Sequence, residues 1–278
     1  MVCVADINKE IEQYRAFDEP IPFKGLLIKP IKAKDYYKFM SCLGILNIEK
    51  NRIPDIRIIQ MSYLQFVFEL ILNDIEWRKA FIDLMQLCFD VEVAECDNNH
   101  IERGAFWNEI VKEDIVVFHL NGYSIDFLVN EREVKMYIKG IEIDSNEFND
   151  ISRYIQFQNI YDYYDDFMSD DVREVVEKFY AMKNKGMKPP TFEDKLVITM
   201  SKLGKSKKEM GEMSMLTIEQ VFNTTVNQTD YIVKHIHHAT AMTDKPLPDI
   251  EHWAFKSNKE RFADVFVDAQ TFEKSSSV

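Results

Sequence analysis

Three histidines near one another, His235, His237 and His238, are the first residues of this 278-residue chain whose type and spacing could do chemistry. On a helix only His235 and His238 share a face, because neighbours on a helix surface lie three or four residues apart. With a remote carboxylate, Asp230 or Asp249, the two imidazoles would reach the three converging ligands that zinc needs. The His-Glu-x-x-His pattern of a metalloprotease helix is absent, since Ile236 follows His235. A simpler account is an imidazolium near a helix C-terminus, where the dipole favours positive charge. A second group interleaves Asp162, Asp165, Asp166, Asp170 and Asp171 with Tyr161, Tyr163, Tyr164 and Phe167. A calcium loop needs alternating oxygen ligands, a central Gly and a Glu in the twelfth place. No Gly occurs in this run, which reads as an exposed partner-facing stretch or a solvated linker entering the next helix. A third group, Lys202, Lys205, Lys207 and Lys208, precedes a long helical pattern and gives the outline of a helix-turn-helix. The helix that would read bases opens on Glu219 and carries no Arg, so few of its side chains could pair with guanine edges.

Other templates fail too. The sequence contains no phosphate loop, dinucleotide fingerprint or Gly-x-Ser-x-Gly elbow, and its eight glycines leave few tight ligand loops. The reading is therefore of a non-enzymatic protein with no catalytic, cofactor-binding or metal-ligating residues assigned, and with its partner-binding residues unassigned.

Composition bounds the rest. An apolar fraction of 46% with 13% aromatics can build a sizeable core, so the formal charge of -13 decorates a foldable chain. That charge disfavours non-specific attraction to nucleic acid or anionic lipid. Met1-Val2-Cys3-Val4-Ala5-Asp6 has no basic n-region or apolar h-region, so no secretory peptide is expected. Cys3, Cys42, Cys88 and Cys96 form no Cys-x-x-Cys pair, and a reducing compartment is expected. The densest apolar stretch, Ile58 to Leu72, is interrupted by Gln60, Gln65 and Glu69 and is too short to span a bilayer.

The elements that must carry these groups predict an α+β fold, mostly helical, with a small antiparallel β-meander between an N-terminal helical region and a C-terminal helical array. Residues 1–33 read as an arm, with Leu26 to Lys29 a short edge strand that pairs at home or adds to a neighbour's sheet. Residues 34–158 carry helices and the meander. Tyr36, Tyr37, Phe39, Met40, Leu43 and Leu46 recur at helical spacing, Met61 to Leu72 reads as a nearly enclosed helix, and Trp77 to Phe89 forms a third. Val116 to Leu120 and Tyr123 to Phe127 flank Asn121-Gly122, a type I′ turn signal; Val134 to Ile138, Lys139-Gly140 and Ile141 to Ile143 continue the meander. Asp144-Ser145-Asn146-Glu147 fits a capping box opening the next helix. Residues 159–190 read as an acidic-aromatic linker and helix. Residues 191–271 form the C-terminal helical region, with caps at Thr191 and Thr217 and a stop at Gly204, and residues 272–278 read as a flexible tail.

Taken together, Leu26-Leu27-Ile28-Lys29-Pro30-Ile31, Lys34-Asp35-Tyr36-Tyr37-Lys38-Phe39, Asn51-Arg52-Ile53-Pro54-Asp55 and Met61-Ser62-Tyr63-Leu64 carry a resemblance. So do the later Glu193-Asp194-Lys195-Leu196, Leu216-Thr217-Ile218-Glu219-Gln220-Val221-Phe222 and His252-Trp253. Over roughly residues 24 to 255 the chain resembles morphogenesis proteins of tailed phages of Gram-positive hosts, most closely tail assembly chaperones. The resemblance implies binding of tape measure protein and tail tube protein in the cytoplasm of the bacterial host, no catalytic residues and no cofactor. Self-association is compatible with it, a membrane is not implied, and nucleic acid is disfavoured. Two alternatives stay open, a structural subunit of the virion (connector, tail or baseplate) and a DNA-binding regulator.

Overall fold

A computed structural model of the chain describes residues 11–48, 50, 53–91, 107–112, 115–120, 124–130, 133–161, 163, 178, 182, 188–240 and 252, with residues 107–112 and 115 described by their backbone alone. The fold is α+β, as its element order shows. It divides into two compact units: residues Met1–Tyr164 with Ser206–Ile218, and Asp165–Lys205 with Glu219–Val278.

In the first unit residues 11–16 are helical, and strands β1 (Ile21–Phe23) and β2 (Leu26–Ile28) form an antiparallel hairpin. Its Lys24-Gly25 turn has both φ values positive, 49° and 87°, the geometry of a two-residue hairpin loop. Ile21, Leu26 and Ile28 are buried, so the arm seen in the sequence is a strand of its own unit. Helix α1 (Tyr36–Cys42) lies between 3-10 turns at Ala33–Asp35 and Leu43–Leu46. Phe39, Cys42, Leu43 and Leu46 point inward, but Tyr37 and Met40, expected on the same stripe, are exposed. The α-helical phase holds for only seven residues, and each 3-10 turn advances 120° per residue where an α-helix advances 100°.

The dense apolar stretch from Ile58 to Leu72 is divided between two helices. Helix α2 (Ile56–Gln60) buries none of its residues, whereas α3 (Tyr63–Asn73) buries Leu64, Phe66, Val67, Phe68 and Ile71. Ser62 separates them: its backbone is extended and its hydroxyl accepts from the Gln65 N–H at 3.1 Å, which makes it the N-cap of α3. Helix α4 (Ile75–Phe89) follows at once, with the Asp74 carboxylate accepting from the N–H groups of Glu76 and Trp77. The buried Arg78 guanidinium donates to Ile71 O and Leu72 O, each at 2.8 Å, which satisfies carbonyls at the end of α3.

Five strands, β3 (Trp107–Lys112), β4 (Ile115–Leu120), β5 (Ile125–Val129), β6 (Val134–Ile138) and β7 (Ile141–Ile143), make an antiparallel meander in sequence order. The sequence showed four of them; β3 is additional. The Asn121-Gly122 turn lies outside the described residues. The strands beside it pair His119 with Asp126, whereas a two-residue turn at 121–122 pairs His119 with Ser124. The shift of two residues leaves every side chain on its expected face. Lys139-Gly140, with φ values of 51° and 78°, is the two-residue turn of this sheet that is described, joining Ile138 to its partner Ile141. The inner face sets Phe127 against Phe68 and Phe81, at ring-centroid distances of 5.1 and 5.9 Å.

Helix α5 (Ser145–Asn159) opens on the expected capping box, with Asp144 and Glu147 each binding the other's backbone N–H. Its last residue is fully buried: Asn159 accepts from Ile31 N–H at 2.7 Å and donates to Ile155 O at 2.8 Å. Arg15 donates to the carbonyls of Ile160 and Tyr161 just beyond α5 and lies over the Phe157 ring. Chain order then gives α6 (Phe192–Leu203), α7 (Lys207–Gly211) and α8 (Met215–Thr240).

Helix α7 and the start of α8 belong to the first unit. Ala33 N–H donates to Met213 O and Met215 N–H to Ile31 O, each at 2.8 Å, while Met210, Met215, Leu216 and Ile218 are buried. Helix α8 begins at Met215, two residues before the expected cap: Ser214 Oγ accepts from the Thr217 N–H at 3.0 Å and is the capping group. The Asp18 carboxylate accepts from both hydroxyls, Ser214 at 2.7 Å and Thr217 at 2.6 Å, and sets a negative charge at the positive end of the helix.

Glu212 accepts from Lys32 and Lys34, each at 2.6 Å, and these two hydrogen bonds hold its carboxyl at about 2. The folded value lies below the ordinary one of about 4.3. The clamp therefore contributes fully above that ordinary value, and its contribution is lost as pH falls toward 2. A carboxyl-resolved NMR titration is expected to place Glu212 among the most acidic groups of the chain. Replacing both lysines, Lys32→Met with Lys34→Met, returns it to the ordinary range, and an unchanged titration shows that the clamp does not form in solution.

In the second unit, α6 opens on a capping box between Thr191 and Asp194 and stops at Gly204 with φ 65°, both at the positions the sequence marks. It is joined to α8 by Lys195, which binds the Glu219 carboxylate at 2.7 Å and lies over the Phe222 ring, and by Lys202, which donates to Gln228 at 3.0 Å. No described helix is long and apolar enough to cross a membrane.

Candidate functional site

The three histidines lie on the last turns of α8, where His235 packs against an aromatic ring. The Tyr231 ring meets His235 edge-on at 4.3 Å and His252 at 5.0 Å. Asp230 is engaged by Lys234 at 2.6 Å, one helical turn on, and Asp249 lies outside the described residues. Among the described residues no group of three or more His, Cys, Asp or Glu side chains could hold a metal ion. Of the acidic-aromatic run, Asp162, Tyr164, Asp165, Asp166, Phe167, Asp170 and Asp171 lie outside the described residues; Tyr161 and Tyr163 fall inside them.

The lysine cluster is exposed, yet the first turns of the helix it precedes are already occupied. Ser214 and Thr217 bind Asp18, and Glu219 binds Lys195. A recognition helix must offer its N-terminal side chains to base edges; here they are held by protein groups. Cys42 and Cys88 are free and buried, and burial pushes both thiols up, Cys88 furthest, so neither presents a thiolate. Cys3 and Cys96 lie outside the described residues.

One polar row emerges only in the structure. On the outer face of the meander His119 Nδ1 and Asp126 Oδ1 lie 2.6 Å apart across β4 and β5, and Glu142 accepts from Tyr137 at 2.7 Å and Lys135 at 2.8 Å. These are cross-strand pairs of the kind that fix sheet register. Strand pairing brings them together from positions up to seven residues apart, so local spacing carried no sign of them.

What remains are two apolar surfaces that no described element covers. In the second unit, Val226, Ile232, Val233 and Ile236 of α8 recur at helical spacing, and Val233 and Ile236 stay 57% and 58% exposed. In the first unit, a groove opens between α2, α3 and α4, lined by the apolar side chains of Ile58, Met61, Phe66, Leu70 and Trp77. Asp55, Arg57, Glu69 and Asp74 stand on its rim. Its α2 wall is held by polar ties instead of burial. The Asp55 carboxylate caps its first turn through the Arg57 N–H at 2.9 Å, and Lys50 Nζ donates to the carbonyls of Ile58, Ile59 and Met61 at its end. The result is a fixed five-residue helix whose Ile56 is 70% exposed. The adjacency of Ile56, Ile58 and Ile59 to Pro54 and to the Ser62 cap was the available sign in the sequence that they belong to a separate helix.

No family model, no curated protein and no solved structure matches this chain.

Proposed function

We propose that the chain is a non-enzymatic phage tail assembly chaperone that binds tape measure protein, tail tube protein or both during virion morphogenesis in the cytoplasm of a bacterial host. The observation that carries the partner-binding part is the apolar stripe of α8, where Val226, Ile232, Val233 and Ile236 are all exposed on one side of a helix of a chain with net charge -13. Contiguous exposed apolar surface has a cost in solubility and marks interaction sites, and high net charge keeps a protein that carries such surface soluble. The tail-specific part is supported by the resemblance of Leu26 to Ile31, Lys34 to Phe39, Met61 to Leu64 and Leu216 to Phe222 to tail assembly chaperones.

A permanent virion subunit would use the same surfaces, and persistence in the particle separates the two readings. The test is quantitative mass spectrometry of proteins that co-purify with the tagged chain from cells expressing its surrounding genes, set beside purified mature particles. Enrichment of tape measure or tube subunits with the chain absent from particles is the expected result. Stoichiometric presence in particles makes it a structural component instead, and recovery of DNA with neither protein supports a regulator.

A further inference from the structure

We infer that the groove between α2, α3 and α4 is a docking site for an amphipathic helix of a partner protein that carries Lys or Arg beside its apolar residues. The shape of the groove selects a helix. Phe66, Glu69, Leu70 and Asn73 lie at i, i+3, i+4 and i+7 along α3, so its length is about two turns, or roughly 10 Å. Ile58 and Met61 on one side and Trp77 on the other wall that strip, which matches the apolar-groove mode of helix recognition.

Charge selects the partner's flanking residues. The rim holds three carboxylates, Asp55, Glu69 and Asp74, against one cation. That cation, Arg57, is tied to Asp55 through Nη2–Oδ2 at 2.8 Å and Nε–Oδ1 at 3.2 Å, and the pairing holds the Asp55 carboxyl below the usual range. Glu69 and Asp74 form no ion pair with a described residue, so the groups lining the rim carry a formal charge of -2; Asp74 also caps α4 through the Glu76 and Trp77 N–H groups and interacts with the charge of the buried Arg78 guanidinium, which leaves Glu69 the more open of the two. A cationic partner gains attraction from Glu69 and, more weakly, from Asp74, and the net charge of -13 steers it inward from further away. An acidic helix of equal apolarity meets repulsion at the same two positions.

This goes beyond the chaperone reading, because it fixes the chemistry of the bound segment whatever protein supplies it. The test uses the full chain with Trp107→Phe and Trp253→Phe, which leaves Trp77 of the groove wall as the sole tryptophan reporter. The probes are two synthetic amphipathic helical peptides with the same Leu and Ala positions, one with Lys and one with Glu on its polar face. The expected result is a saturable change in Trp77 emission with the Lys peptide and at least about tenfold weaker binding of the Glu peptide, the effect of turning two modest attractions into repulsions. Glu69→Lys is expected to narrow that preference by about tenfold, and Leu70→Asp to remove saturation; Glu69 is exposed and Leu70 half-buried, so melting curves check that the fold is kept. Absence of a saturable response to either peptide, equal binding of both, or binding indifferent to both substitutions overturns the proposal. None of these outcomes bears on whether the chain persists in particles, so the two readings fail separately.

Discussion

Phe127→Ala is expected to destabilise the first unit by about 3–5 kcal/mol, the range for removing a fully buried aromatic ring without refilling the space. The ring is 0% exposed in the central strand of the meander and meets Phe68 of α3 and Phe81 of α4, so it joins both layers of the fold. Strand pairing sets Phe118 and Met136 on either side of it. Phe118 lies 5.2 Å from the same Phe68 ring, so the loss extends beyond one contact. Aromatic pairs of this geometry add about 0.5–1.5 kcal/mol each to the area term. Against a typical domain stability of 5–15 kcal/mol, the variant loses a large share of its folding free energy. Urea unfolding followed by circular dichroism measures the effect, with exposed Ile59→Ala as a control expected to stay within about 0.5 kcal/mol. A loss below about 1 kcal/mol for Phe127→Ala contradicts the packed interface between sheet and helices.

Features written locally were readable in the sequence, and those made by chain return were not. The capping boxes at Asp144 and Thr191, the left-handed stop at Gly204 and the Lys139-Gly140 turn sit where their residue types place them, because each is decided within four residues. Strand β3 escaped because Trp107-Asn108-Glu109-Ile110-Val111-Lys112 alternates poorly, and it is fixed by pairing with Ile115–Leu120. The docking of Ser206–Ile218 into the first unit rests on Asp18, Ile31, Lys32 and Ala33, some 180 to 200 residues earlier in the chain, and no periodicity encodes that. The candidate surfaces were half visible. Their apolar residues could be picked out, but an apolar helix face looks the same in a sequence whether it is buried by its own fold or left for another protein.

Exposure separates those cases on α8. Ile218 and Phe222 are buried, and from Val226 onward the apolar side is open. The helix thus begins as a packed element and continues as a presented one. Asp18 fixes its first turn, and Lys195 fixes the next through Glu219, so its beginning is held by ties on successive turns. Anchoring of this kind lowers the ordering cost a partner must meet on binding, since the helix is set before the partner arrives.

The second large effect follows from that arrangement. Val233→Gln combined with Ile236→Gln is expected to leave stability within about 0.5 kcal/mol of the parent, because both side chains are more than half exposed. Gln is also a better helix former than Val or Ile, so α8 is not weakened and any small change is a gain. Gln adds no charge, so the net charge of -13 and its steering are kept. What is removed is apolar surface alone. If the stripe is where a tail tube or tape measure subunit binds, the loss of two neighbouring anchors costs about 2 kcal/mol or more, a weakening of roughly 30-fold. Parallel measurements of thermal unfolding and of affinity for the purified subunits decide the matter. A folded double variant that binds as tightly as the parent removes the stripe as the client surface, whereas one that melts early shows that α8 is packed by residues of its own chain.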